Sequence, residues 1–463
     1  MAKHLITGIS LDELPDNFRH AIQVTRFLKV RYIWIDSLAI VQEPFGDFAR
    51  EANLMHKVYR YSHSDLWEKE LLNSIIYYRA WVFQERILSP RILHFTKHQI
   101  FWDCGTLSAC EVFPNGLPFP LDHKASTDRH WRGRLVGSTV SSNALTGVND
   151  NESSYTFWMS AVQNYTECNL TSQGDKTIAI WSIAKLLRDV MREQYAVGMW
   201  SEALEEQMAW KVRETQKCEN MPELDASIPS WSWASVRGSI VPQHRLALRS
   251  YTVTDHHGAM VKFTVDGETR EGDKEPTLER KALELRTHIG FGRLISVEED
   301  VYRLRVLGEA SSGPIEMDAF PDAPLSTTAI DPQQCAFMIL AASVTSNNTS
   351  GLQLSLPSSS EACQTYSGIG LLLITHSAWF SNQEKLHHEY KSALSGLKPS
   401  REQEWRLDAF SKLMSQQSER IMNMKGNIAS VYRRIGALQF RDIDEQAFKS
   451  LINDQNLENI WLE

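Results

Sequence analysis

A change of hydrophobic period near residue 236 restricts this chain more than any single motif does. Before it, apolar residues recur at three- and four-residue intervals; after it come short, alternating, β-branched segments: RSYTVTD, AMVKFTVDG, KALELRTHI, YRLRVLG, CAFMILAASV, YSGIGLLLITHS and RIGALQF. Side chains on a helix and on a strand repeat with different periods, so one element type cannot serve both halves. The sequence therefore predicts helices flanking few strands in the N-terminal part and a β-rich C-terminal unit over 237–463. A charged insertion of helical pattern interrupts that unit near 395–425.

The N-terminal part divides further. Residues 10–29 read as a helix: Ser10 and Glu13 stand at capping-box spacing, Pro15 suits a first turn, and Phe18, Ala21, Ile22, Thr25 and Leu28 form one face. The apolar run Tyr32, Ile33, Trp34, Ile35, ending in Asp36, reads as a buried central strand whose carboxyl end opens onto a site. Asp36 at that end serves equally as an N-cap for the segment after it. Helical spacing returns over 48–61 and 65–78, then RAWVFQERIL continues as helix into a Ser-Pro turn. RILHF (91–95) and QIFWDC (99–104) read as antiparallel strands. Residues 1–104 thus form an α/β domain, 105–155 an irregular connection, and 156–236 a helical segment, YAVGMW included, that closes on PSWSWASV.

Composition narrows the function. The chain has 463 residues, 42 % of them hydrophobic and 23 % charged, with a net charge of −9, so nothing in its charge favours nucleic acid. The six cysteines match no common zinc spacing and read as free thiols, and His256-His257 and His387-His388 lack the spaced partners of a metal site. There is no apolar leader and no run of 18 apolar residues, which predicts a cytoplasmic chain without a membrane span. GFGRL (290–294) lacks the glycine pattern of a dinucleotide loop, and no Gly-x-Ser-x-Gly elbow occurs.

Two groups of residues could carry chemistry. Arg79, Trp81, Gln84, Glu85 and Arg86 put two cations, a carboxylate and an amide on one helix, either lining a cleft or forming ion pairs between helices. Glu43, Asp47 and Glu51 come shortly after the Asp36 strand and could present a carboxylate near its end, or stand as solvated helix charges. Trp231 and Trp233, at strand spacing, would face one side and wedge one unit against another, or offer an aromatic platform to a ligand.

Taken in order, LPDNFRHAIQVTRFLKVRYIWIDSLAIVQ, RAWVFQERILSPRILHF, GDKTIAI, YAVGMW and PSWSWASV resemble the fungal heterokaryon-incompatibility (HET) domain proteins. Those show a WIDxLCIxQ-type strand, an RxWxxQE motif and a later PSWSW segment in this order. The resemblance implies cytoplasmic signalling in self/non-self recognition and programmed cell death. It also implies a domain related to the Toll/interleukin-receptor (TIR) fold, a flavodoxin-like parallel sheet wrapped by helices. Matched positions are Trp34, Asp36, Gln42, Glu51, Met55 and Tyr59 in the first block and Arg79, Trp81, Gln84, Glu85 and Arg86 in the second.

By that resemblance Glu85 and Glu51 are the catalytic candidates of a NAD glycohydrolase. Asp36, Gln42, Trp81, Gln84 and Arg86 would line its pocket, with NAD as substrate rather than cofactor, and Asp36 should approach the helix of Glu85. The pattern also departs from the family: the opening YxxLSYxWG-type strand has no counterpart, Ala39 replaces the usual cysteine, and YSHSDLWEKELLNSIIYY replaces a strand and loop. The parallel sheet is then incomplete and the domain degenerate at its N-terminus. The expectation from these departures is a protein that acts through a protein partner or self-association, without appreciable NAD cleavage.

Overall fold

The computed structural model describes residues 9–27, 31–33, 35, 75–96, 99–111, 113–117, 150–170, 173–214, 228–246, 250–266, 274–298, 300–307, 313–323, 335–346, 364–393, 407 and 431–463. Among these, helix α1 (Asp16–Phe27) starts just after Pro15, and its Phe18, Ala21, Ile22 and Thr25 are half-buried. Ser10 precedes a short 3₁₀ turn and makes no side-chain cap.

The expected central strand is not formed in its described part. Tyr32 is 77 % and Ile33 42 % exposed, and neither they nor Ile35 lie in a strand. An apolar run becomes a strand only where a neighbour completes its ladder, and among the described residues none pairs with it. Likewise Ile75 and Ile76, at the end of the stretch 65–78 read as helix, sit in a 3₁₀ turn, Ile75–Tyr78, and are exposed.

Helix α2 (Ala80–Leu88) carries the RxWxxQE motif and buries Ala80, Phe83, Gln84, Ile87 and Leu88. The antiparallel strands then form as read. Strand β1 (Arg91–Phe95) pairs with β2 (Ile100–Cys104), His94 opposite Phe101, and β2 pairs with β3 (Ser108–Cys110). Helix α3 (Asp150–Thr166) starts earlier than the connection ending at 155 would allow. Helix α4 (Ile178–Met191) is the apolar centre of this half, with Ala179, Ile180, Trp181, Ile183 and Ala184 fully buried. YAVGMW is no helix: Tyr195–Ala196 and Met199–Trp200 form a hairpin, in which Tyr195 opposite Trp200 is a cross-strand aromatic pair.

The C-terminal half is β-rich as expected, and its strands close on themselves. Strand β4 (Ser250–Tyr251) is short. Strand β5 (Leu283–Glu298) pairs with β6 (Val301–Val306), and β6 with β7 (Glu316–Pro321). Strand β8 (Cys335–Ser346) pairs with β9 (Gln364–Thr375), which leads into helix α5 (His376–Ala393). Strand β10 (Val431–Asp444) pairs with both β9 and β7, and β8 returns to β5 through Ile289–Gly292. The circuit β5-β6-β7-β10-β9-β8-β5 is a six-stranded antiparallel barrel. Helix α6 (Glu445–Leu451) comes after β10. The last strand, β11 (Leu457–Leu462), runs antiparallel to the start of β5 and pairs in parallel with β10 at Val431 and Tyr432.

The barrel is narrow and filled. Leu294, Leu304, Met317, Ala319, Phe337, Ile339, Leu372, Leu438 and Phe440 make its interior, and Phe448 and Leu451 of α6 join them. Large residues face glycines. A Cβ on Gly290 would stand 2.3 Å from the Phe337 ring, and one on Gly368 2.4 Å from that of Phe440, so these positions need glycine to admit the rings. The alternate residues Ala336, Met338, Leu340, Ile369, Leu371 and Leu373 point outward into a second core shared with α2, α3 and α4. CAFMIL and GIGLLLI are continuously apolar because both of their faces are covered. Among the described residues no helix is long and apolar enough to cross a membrane.

Barrel and helices are joined by Arg434 of β10. Its guanidinium lies 3.2 Å over the Trp210 ring and donates to the Trp210 carbonyl at 2.5 Å. It also donates to Asp322 at 2.6 Å, with the Arg434 side chain 0 % and that of Asp322 10 % exposed. Burial pushes the Asp322 carboxyl up to about 6, against the pull of Arg434. Removing one partner leaves the other charge buried alone. Arg434→Ala should therefore cost roughly 3–5 kcal/mol in urea unfolding, whereas Arg434→Met with Asp322→Leu should cost clearly less than that single change.

Candidate functional site

The side chains of the later motifs converge on one two-residue turn. Val197 (φ 47°) and Gly198 (φ 82°) join the hairpin strands, and two positive φ values in a row give the primed turn that matches strand twist. Glycine adopts this freely; a β-branched valine does not. Three hydrogen bonds hold the turn. Ser232 Oγ donates to the Val197 carbonyl at 2.6 Å and Trp233 Nε1 to the Gly198 carbonyl at 2.7 Å, while the Val197 N–H donates to the Glu275 carboxyl. Gly198 is pressed on the indole, since a Cβ there would lie 2.7 Å from Trp233 Cε2.

Around this turn the ionisable groups are displaced from their ordinary states. Lys176 is 4 % exposed; its Nζ donates to the carbonyls of Val236 and, at 3.5 Å, Trp233, and lies 5.4 Å from the Trp233 ring. Burial, then Arg237, brings this amine down to about 7. Burial raises Glu275 to about 7, against hydrogen bonds from Thr177 and Val197. Tyr165 donates to the Lys176 carbonyl at 2.7 Å, and burial pushes the phenols of Tyr165 and Tyr195 well up. Tyr195 is boxed by Trp158, Trp181 and Trp200, with ring centroids 5.5, 5.4 and 4.9 Å away. Such a centre can exchange protons near neutrality. With its amine on two carbonyls, Lys176 is a brace.

The residues singled out from the sequence fall unevenly around this centre. Trp81 donates to Asp175, whose carboxyl burial otherwise raises. Gln84 is fully buried and its Nε2 donates to Ser182 Oγ of α4 at 3.1 Å. The Arg86 guanidinium covers the rings of Tyr77 and Phe83 at 5.6 and 5.7 Å, and Glu85 is half-buried. Trp81 and Gln84 thus tie α2 to the Asp175 turn and to α4. Asp36, Gln42 and Glu51, with Trp34, Met55 and Tyr59, lie outside the described residues, and with them the expected approach of Asp36 to Glu85.

Trp231 and Trp233 are buried, 0 % and 3 % exposed, as a wedge between two units would be. They do not share a side, because Trp233–Ser235 is a 3₁₀ turn capped by Ser232. Trp231 stacks on Phe263 at 6.0 Å and donates to the Lys281 carbonyl, whereas Trp233 meets Tyr165 and the hairpin. Sequence reasoning missed Asp175, Lys176, Tyr195 and Glu275. Lys176 lies in the quoted GDKTIAI, but Glu275 sits in EGDKEPTLER, where nothing sets it apart from its charged neighbours. His256 and His257 stack on each other at 3.8 Å, with His256 3.2 Å from Glu284. Among the described residues no group of three His, Cys, Asp or Glu is arranged for a metal.

A Lys whose folded-state pKa is lowered binds its proton less tightly than the unfolded chain does, so stability rises with pH across the window. For Lys176 that window runs from about 7 to 10.5, with a slope of at most about 1.4 kcal/mol per pH unit. Urea titrations at several pH values should show Lys176→Met flattening this rise; an unchanged slope would mean that the amine is not buried in solution.

No curated protein and no solved structure matches this chain. A family model does: Heterokaryon incompatibility protein (HET) matches residues 2–67. The matched part holds Asp36, Gln42 and Glu51, while α2, the hairpin and the Trp-rich segment lie beyond it. Over this N-terminal segment the chain is similar to heterokaryon-incompatibility (HET) proteins.

Proposed function

We propose that the chain works in heterokaryon incompatibility, in the cytoplasm of a fungal cell, as a self/non-self recognition protein that signals cell death through contacts with a protein partner or with its own copies. The observation that carries this reading is the HET match over residues 2–67. The use made of the RxWxxQE helix supports contacts rather than chemistry. Gln84 is spent on Ser182 and Trp81 on Asp175, so two of the pocket candidates act as cross-braces inside a core. A catalytic carboxylate needs rigid neighbours that hold it within about an ångström of its productive position, and polar side chains aimed at the substrate. Here Gln84 and Trp81 of α2 are aimed at α4 and at the Asp175 turn.

The competing reading, a TIR-like glycohydrolase cleaving NAD with Glu85 or Glu51, is separated by one assay. Purified chain incubated with NAD should release no nicotinamide above the no-enzyme rate, and light scattering should show a concentration-dependent rise in mass. Nicotinamide release that disappears in Glu85→Ala or Glu51→Ala, with circular dichroism unchanged, would overturn the proposal in favour of the enzyme.

A further inference from the structure

Glu275 reaches across from the β-rich half into the helical half. As a residue it is half-buried, but its carboxyl is sealed: Oε1 has no contact with solvent and no hydrogen-bond partner among the described residues. Among the described residues the segment that carries it is held by the two-pair register Thr277 opposite Asp266 and Leu278 opposite Val265, by Glu279 N–H to the Thr264 carbonyl at 3.0 Å and Thr264 Oγ1 to the Glu279 carboxylate at 2.8 Å, and by Leu278 against the core. Its carboxyl accepts from Thr177 and from the N–H of Val197, which is the residue of the turn least suited to a positive φ. A strained turn, a bond to the strained residue, and an acceptor on a segment with two ladder pairs among the described residues together make a two-position device.

We propose that Glu275 is a proton-dependent latch: its neutral carboxyl closes the segment Lys274–Leu278 onto the Val197–Gly198 turn, and loss of the proton releases it. Among the described residues the titratable groups that face it are Tyr165 from α3 and Tyr195 from the hairpin, whose phenols the Glu275 charge raises further, with Asp175 acting in the same sense on Tyr165. Lys176 is the neighbour of Thr177 and is influenced by Arg237, while Lys274 is exposed. Both phenols stay neutral across the physiological range, so they shield the carboxyl from water without supplying a counter-charge. Burial, the largest influence on Glu275, holds it at about 7 when docked, against an ordinary 4.5. A raised docked pKa means that docking is strongest below the undocked value and weakens as pH rises toward the docked one.

Hydrogen exchange on the full chain tests this, read on the peptide Tyr195–Trp200 as protection factors corrected for intrinsic exchange. A peptide across Leu371–Leu373 of the barrel serves as the reference for global opening. Protection of the turn should fall about tenfold per pH unit between about 4.5 and 7 and then level off, with the barrel peptide unchanged. Glu275→Gln should hold it at the acidic level at both ends, Glu275→Ala should leave it low throughout, and Lys176→Met should keep the wild-type slope. Equal wild-type protection at pH 5 and 7.5 overturns the proposal, whatever the variants do. So does a Glu275→Gln protein that keeps the wild-type slope, or loss of that slope in Lys176→Met, which would assign the proton to the amine.

Discussion

Four consecutive residues, Ser230 to Trp233, bind segments from both halves of the molecule to one another. Ser230 Oγ accepts from the Arg434 N–H at 2.9 Å and donates to the Glu463 carbonyl. Trp231 gives its indole N–H to Lys281 and its carbonyl to the indole of Trp210, both at 3.0 Å. Ser232 and Trp233 hold the hairpin turn. All four side chains are buried, where a polar atom left without a partner costs the full penalty of its lost water. Their partners come from the barrel, the Lys281 loop, the Trp210 segment and the hairpin, so each of those segments is fixed relative to the others by satisfying this one.

That arrangement explains how one core can serve two kinds of secondary structure. Helices α2, α3 and α4 present a stripe, and the barrel presents alternate residues of β5, β8, β9, β10 and β11, with Leu283, Leu285, Met338, Leu371 and Ile460 among them. Apolar packing alone is indifferent to small rotations of one layer on the other. Directional contacts remove that freedom: Arg434, held within the barrel by Asp322, on Trp210, and Lys211 Nζ on Gln439 Oε1 at 2.7 Å. Each is a polar group that has a partner in only one relative placement of barrel and helices.

Periodicity encodes local pairing, and that limited what could be read in advance. The pairing of RILHF with QIFWDC and the β-rich second half were legible, because alternation and turn residues are local. Closure into a barrel was not, since it depends on β8 meeting β5 and on β10 meeting β7 across long sequence separations. A local trace of closure was the glycines inside the barrel strands, Gly290, Gly292, Gly368, Gly370 and Gly436. Tyr32 to Ile35 misled for the converse reason: an apolar run records that a segment can be buried in a sheet, and its ladder partners are written elsewhere. YAVGMW misled because most of its residues are apolar at mixed spacing and the turn is carried by Val197, a residue that turn statistics disfavour.

The site was legible only through its hydrophobic members. Trp231 and Trp233 announced burial, because large aromatic side chains among apolar neighbours have few other uses, whereas Trp81 and Gln84, read as lining a cleft, brace α2 against the Asp175 turn and α4. Lys176 and Glu275 could not be found that way, since in the sequence they are two charges among 105 Lys, Arg, Asp and Glu residues, 48 basic and 57 acidic. What distinguishes them is the environment that folding builds: a carbonyl pair for the amine, and for the carboxyl a threonine hydroxyl and the N–H of a strained valine. Their displaced proton affinities are therefore consequences of the Ser230–Trp233 junction, which brings the Val197–Gly198 turn, the Lys176 backbone and the Glu275 segment into one dry space. A substitution that loosens the junction should return both groups toward their solution behaviour without touching either side chain. Trp233→Phe is the sharpest case, because it keeps the aromatic packing against Tyr165 and removes the indole N–H bond to the Gly198 carbonyl. Side-chain titration followed by NMR in that variant should find the Lys176 amine shifted back up and the Glu275 carboxyl back down, and both unchanged if the junction does not set them.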